Sequence, residues 1–135
     1  TYYLHVQQLS WLPFLPAAAC GLLATAVLNV NNVRDIESDA RNGKITLAVR
    51  LGRANAIRYH WSLLGLALAL TLIYLVALPV PWVGWSCLLV AKPLIDAAKT
   101  LSHTRDGEIL TGMLKKTAIS TLLYSVLLSI GLVLF

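Results

Sequence analysis

Asn31, Asn32, Asp35 and Asp39 carry oxygen ligands at helical spacing, at the end of a long apolar run. On an α-helix, residues three, four, seven and eight apart share a face, so these four predict one stripe of polar oxygens, with Arg34 and Glu37 on other faces. Such a stripe suits a hard divalent cation, because magnesium takes an octahedron of oxygens and uses only one or two carboxylates beside phosphate oxygens. Lys44 and Arg50 follow within a short stretch and suit phosphate. Carboxylates for a metal next to cations for phosphate point to a site for a magnesium-bound diphosphate. Two aspartates four apart are also common at solvated helix ends. Their position here, at the mouth of an apolar helix and directly after two asparagines, favours the functional reading.

The elements that must position these residues are membrane helices. The chain has 135 residues, of which 58% are hydrophobic and only 13% charged, with mean hydropathy +0.73. A soluble domain carries about 25% charged residues. An all-α, integral membrane helical bundle is therefore expected. Stretches of about 20 apolar residues predict four transmembrane helices at 11–31, 59–78, 82–101 and 117–135. Trp11 anchors the first at the interface, Pro13 and Pro16 fall in its opening turn where a missing N–H costs least, and Gly21, Ala24 and Thr25 offer a small surface for close helix packing. Residues 1–10, with Tyr2, Tyr3 and His5 but no Lys or Arg, read as an outer interfacial segment. Pro79-Val80-Pro81 reads as a tight turn, and Asn42-Gly43 as the stop of the helix that carries the aspartates.

The net charge of +5 does not indicate a nucleic-acid partner, because the basic residues sit between the apolar runs. Six follow the first span (Arg34, Arg41, Lys44, Arg50, Arg53 and Arg58), none the second, and three the third (Arg105, Lys115 and Lys116). By the positive-inside bias, the aspartate motif faces the cytoplasm and both termini lie outside. Lys92 and Asp96 fall inside the third span and are expected to pair, four residues apart. Tyr59 and Trp61 lie at the cytoplasmic end of the second span, as interface anchors or as aromatic faces for a cation. His5, His60 and His103 are scattered and Cys20 and Cys87 lie within apolar segments, so neither type suggests a metal site. Gly43-Lys44-Ile45-Thr46 lacks the upstream glycine and the strand of a phosphate-binding P-loop. The chain starts at Thr1 with no basic region before the first apolar run, so that run reads as a span and truncation is the expected origin of the start.

The run Asn31-Asn32-x-Arg34-Asp35-x-x-x-Asp39-x-x-x-Gly43-Lys44-x-Thr46-Leu47-Ala48-Val49-Arg50-Leu51-Gly52 resembles the second aspartate motif of the UbiA-superfamily intramembrane aromatic prenyltransferases. It is most similar to the branch that uses 1,4-dihydroxy-2-naphthoate. The resemblance implies the C-terminal portion, residues 1–135, of a single nine-helix domain in the inner (cytoplasmic) membrane of a bacterium. It implies transfer of a polyprenyl chain from polyprenyl diphosphate to 1,4-dihydroxy-2-naphthoate, with loss of CO2, to give a demethylmenaquinone for menaquinone biosynthesis. On it, Asp35 and Asp39 are catalytic and bind Mg2+ with Asn32, while Arg34, Lys44 and Arg50 contact the diphosphate. The missing N-terminal half of the same enzyme would supply a second Asn/Asp-rich motif, and this chain alone would be inactive. Two alternatives stay open: a related enzyme with 4-hydroxybenzoate or homogentisate as acceptor, and a non-enzymatic four-helix membrane protein whose aspartates bind cations. The latter would not need the Gly-Lys-x-Thr-Leu-Ala-Val-Arg-Leu-Gly continuation.

Overall fold

The computed structural model describes residues 10–78 and 82–133, with side chains to 131. Every element among them is helical: α1 (Phe14–Arg34), α2 (Ile36–Arg41), α3 (Leu47–Ala77), a 3-10 helix (Trp82–Val90), α4 (Ala91–His103) and α5 (Gly107–Val133). The expected interfacial segment before residue 10, the Pro79-Val80-Pro81 turn and the last two residues of the fourth span lie outside the described residues. Three helices are long and apolar enough to cross a membrane, with hydropathies of 1.6 for α1, 1.9 for α3 and 1.3 for α5. Each extends beyond its expected apolar window. α1 continues to Arg34, α3 begins twelve residues early at Leu47 under the Thr46 cap, and α5 begins at Gly107.

The expected third span, 82–101, is instead two pieces that together reach His103. Pro93 explains the division. It has no N–H to donate to a preceding carbonyl, so it is tolerated only in a first helical turn, and the α-helix that contains it starts at Ala91. At about 2.0 Å per residue for the 3-10 part and 1.5 Å for the α part, the two pieces reach nearly 40 Å, more than the roughly 30 Å of a hydrocarbon core. Their direction is fixed by Arg53 near the start of α3, which donates through Nη2 to the Leu101 carbonyl at 2.9 Å and to the Thr104 carbonyl. The run therefore returns to the end of the bundle where α3 began. Arg34, at the end of α1, reaches Thr111 Oγ1 near the start of α5 at 3.4 Å. Among the described residues, the end of α1, the start of α3, the end of α4 and the start of α5 thus lie together at one end of the bundle.

Two apolar clusters hold the helices together. The larger contains Ala19, Leu23, Leu64, Leu75, Cys87, Leu94 and Tyr124, and the smaller lies under the polar end with Val30, Val33, Ala48, Ala56, Leu101 and Leu110. The face of α1 that packs is Ala19, Leu23, Ala26, Val30 and Val33. The expected packing surface is on the other side: Gly21 and Ala24 are exposed, and nothing lies within 4 Å of a β-carbon built on Gly21. Leu28, Leu72, Ile73, Val76, Ile119 and Leu122 are also largely exposed, as membrane-facing positions are. Close backbone approach occurs instead between the 3-10 helix and α5, where a β-carbon on Gly131 would collide with the Gly84 backbone.

Hydroxyls along α5 are satisfied locally, as a non-aqueous surrounding demands, whereas both ring nitrogens of buried His60 and the Ser86 hydroxyl have no hydrogen-bond partner among the described residues. Thr117, Thr121, Ser125 and Ser129 each donate to the carbonyl four residues earlier, at 2.8, 2.9, 3.1 and 2.7 Å. Thr71 spends its hydrogen on the Ala67 carbonyl at 2.8 Å, so the buried Tyr124 hydroxyl, 2.6 Å away, donates to Thr71 Oγ1 and ties α3 to α5. The expected Lys92–Asp96 pair is not made: the ion pairs among the described residues are Arg34–Asp35 and Lys44–Asp39. Lys92 is exposed while Asp96 is half-buried, and a base four residues before an acid is the weaker order on a helix.

Candidate functional site

The polar stripe expected on one uninterrupted helix is divided by a bend. Asp35 leaves helical geometry at φ −96° and ψ 9°, closing α1 and opening α2. The two carboxylates still stack one turn apart, because the Asp39 N–H donates to the Asp35 carbonyl at 2.8 Å. Arg34 was expected on another face, but its long side chain swings around the bend. Nε donates to Asp35 Oδ1 at 2.7 Å and Nη2 to Oδ2 at 2.8 Å, a two-point clasp that is geometrically the strongest kind of carboxylate pairing. Nη2 also donates to Asn31 Oδ1 at 2.9 Å. The clasp holds the Asp35 carboxyl below the usual carboxylate range, with a smaller contribution from the Lys44 charge.

Gly43 brings Lys44 to the site. With φ +71° it ends α2 in a paired reverse turn, the Lys44 N–H donating to the Asp39 carbonyl at 2.9 Å and the Gly43 N–H to the Ala40 carbonyl at 3.2 Å. The chain is thereby folded back so that Lys44 Nζ lies 3.3 Å from Asp39 Oδ1. The expected stop at Asn42-Gly43 is where the helix ends. Asp39 itself is buried, and its Oδ2 has no hydrogen-bond partner. A buried carboxylate oxygen without a partner is costly unless a cation completes it. Asn32 stands on the adjacent face of α1 in an apolar cleft lined by Thr25, Leu28, Asn29, Leu47 and Tyr59. Buried Asn29 fixes one wall of that cleft by donating to the Ala56 carbonyl of α3 at 3.0 Å.

The structure therefore gathers Arg34, Asp35, Asp39 and Lys44, and places Asn32 in the wall of the cleft. Arg50 stands exposed in the first turn of α3 and pairs with neither aspartate. Thr46 starts that turn, its Oγ1 accepting from the Val49 N–H at 3.3 Å. Of the two aromatic candidates, Tyr59 faces the cleft, whereas Trp61 donates to Ser102 Oγ at 3.3 Å on another side of α3. Among the described residues no three His, Cys, Asp or Glu side chains are grouped so that they could hold a metal ion by themselves. The donor set is oxygen only, with two carboxylates and one orphaned buried oxygen, and this fits a magnesium ion completed by phosphate oxygens. The Arg34 clasp was not foreseen from the sequence, although adjacent Arg-Asp at a helix end was its available signal.

The pattern of the UbiA prenyltransferase family matches residues 1–116. The chain is 46% identical over 133 residues to the 1,4-dihydroxy-2-naphthoate octaprenyltransferase of Escherichia coli (strain K12), covering 98% of this chain and 43% of that protein. It is 39% identical over 132 residues to the enzyme of the same name from Haemophilus influenzae, with the same two coverages. The Mycobacterium tuberculosis protein of that name is 39% identical over 126 residues, 93% of this chain and 42% of its own length. The chain thus spans less than half the length of these relatives. No solved structure matches it.

Proposed function

The chain belongs to the UbiA prenyltransferase family, and from that premise we propose that it forms part of an intramembrane enzyme that moves a polyprenyl chain from polyprenyl diphosphate to 1,4-dihydroxy-2-naphthoate. The allylic C–O bond breaks and its electron pair leaves with the diphosphate. The ring carbon that bears the carboxyl group bonds to the allylic carbon, and that carboxyl group departs as CO2, leaving its electron pair to restore the ring. The product keeps both ring hydroxyls and is a demethylmenaquinol, the reduced form of a demethylmenaquinone. Support for the acceptor comes from the names of the relatives, and for the chemistry from one observation above all: a buried Asp39 oxygen without a partner, beside Lys44 and seven residues along from Asn32 in the wall of the apolar cleft.

In this reading Asp35, Asp39 and Asn32 hold Mg2+, which when bound neutralises charge on the diphosphate. Arg34 keeps Asp35 and Asn31 in fixed orientation. Lys44, Arg50 and the outer edge of Arg34 face the departing diphosphate and stabilise the charge that grows there. The cleft of Thr25, Leu28 and Tyr59 takes the first isoprene units, continued by the exposed small residues Gly21 and Ala24, and the Tyr59 ring shields the allylic cation from water. The polar end of the bundle lies on the cytoplasmic side of a bacterial inner membrane, and residues 1–135 form one portion of a single membrane domain whose remainder completes the metal site. Asp39→Asn in the full-length form tests the reading, because it keeps the shape and removes the charge. Transfer of labelled prenyl groups to 1,4-dihydroxy-2-naphthoate is expected to fall at least about a hundredfold. Near-normal turnover would remove Asp39 from the site.

A further inference from the structure

A separate cleft, of about 200 Å3 and polar, opens beside α2, and its lining includes Arg34, Glu37, Ser38, Arg41, Arg53 and Arg105. Glu37 and Arg41 each lie two residues from Asp39, about 200° around the helix, so they face away from Asp39, and Arg34 is the residue the cleft shares with the aspartate site. The charge of Arg34 is spent on Asp35. Arg53 is bound only to neutral carbonyls, and neither Arg41 nor Arg105 has an ion-pair partner among the described residues. Arg105 is close enough to Arg53 to repel it, with Glu37 as the one opposing charge. Three uncompensated guanidinium groups face a single carboxylate, a net charge of +2 in a space the size of a phosphate group and its waters.

A neighbouring cleft of about 260 Å3 shares Arg53 and Arg105 and adds Ala54, Ile57, Ser102 and His103. From it an apolar path runs along α3. Ala54, Ile57, Trp61, Gly65, Leu72 and Val76 follow at helical spacing, with Trp61, Leu72 and Val76 exposed by 37, 47 and 69%. Trp61, tied to Ser102, marks the level where an indole ring sits at a membrane surface.

We propose that this arginine cleft binds the phosphate headgroup of an anionic phospholipid, whose acyl chains lie along the α3 path. Basic pockets between helices at the membrane surface favour such lipids, and a free phosphate would make no use of the apolar path. The full-length protein, purified in detergent and mixed with equal amounts of phosphatidylglycerol and phosphatidylcholine, is examined by native mass spectrometry. Phosphatidylglycerol is expected to be retained preferentially. The double variant Arg41→Gln/Arg105→Gln should reduce the preference roughly 30-fold, about fivefold for each arginine. Arg41→Lys/Arg105→Lys should restore most of it, and added inorganic diphosphate should not displace the lipid. Prenyl transfer by the Gln variant in phosphatidylcholine nanodiscs should remain at the wild-type level, which separates this site from the reaction. An unchanged preference in the Gln variant would overturn the proposal, as would no preference in the wild type, which would mean the cleft is filled by another part of the protein. Displacement by diphosphate would likewise overturn it, assigning the cleft to a free anion.

Discussion

Arg34 decides which carboxylate oxygens are available at the site. It engages both oxygens of Asp35 and the side-chain oxygen of Asn31, while one oxygen of Asp39 stays buried and bare. Because Asp35 is held below its ordinary range mainly by Arg34, its contribution to stability is fully present above the unfolded-state value near 3.8 and is lost as pH falls through the lower folded value. Arg34→Gln should raise that folded value toward the ordinary one, which carboxylate titration of the full-length form by infrared difference spectroscopy would detect. It should also weaken diphosphate binding. At Tyr124 the expectation is smaller: Tyr124→Phe removes the bond to Thr71 but leaves Thr71 satisfied by Ala67, so the loss is about 0.6 kcal/mol, the average for polar contacts between membrane helices. Reversible unfolding in mixed detergent measures it. The types and spacing of Asn32, Asp35, Asp39 and Lys44 were legible in the sequence. Their pairing was not, because face arithmetic assumes an unbroken helix and ignores how far a guanidinium reaches past a bend.

Two glycines govern the local elements. Gly43 turns the chain so that Lys44 meets Asp39, and Gly52 takes φ +72° and ψ 158° inside α3, a region open essentially only to glycine. Gly52→Ala is expected to destabilise the protein by about 1–3 kcal/mol and to shift the Lys44 loop, seen as faster amide exchange over residues 44–51. Gly43→Ala should move Lys44 away from Asp39 and lower activity more than stability. The Asn42-Gly43 stop could be read from the sequence because glycine announces the backbone angle itself. The extra turns of α3 could not be read from hydropathy, since residues 47–58 are too polar for a span yet helical on both sides of the Gly52 kink, the first side capped by Thr46. Hydropathy also overlooked the division at Ala91, although Pro93 carries the signal.

Four spans with their basic loops on one side are the expectation from the distribution of basic residues, and the Arg34 and Arg53 contacts bring the polar helix ends together. In a full-length background with Cys20→Ala and Cys87→Ala, cysteines at Asn42 and Glu108 should both label from the cytoplasm and one at Val80 from outside. Label entering Asn42 and Glu108 from opposite sides would break the four-pass arrangement. The 135-residue chain expressed alone should insert into membranes yet transfer no prenyl group, since two carboxylates hold only part of a metal and diphosphate assembly. Gly131→Ala should force the 3-10 helix away from α5 and lower the yield of folded protein, measured by fluorescence-detected size exclusion. Four long-range ties, Arg34–Thr111, Arg53–Thr104, Asn29–Ala56 and Trp61–Ser102, gather toward the polar end, whereas the Thr71–Tyr124 bond and the approach of Cys20 Sγ to Ser125 Oγ at 3.7 Å lie farther along the bundle. Under mechanical load the bundle should therefore unzip from the end remote from the aspartates, so the seam beside the cleft is the last to part.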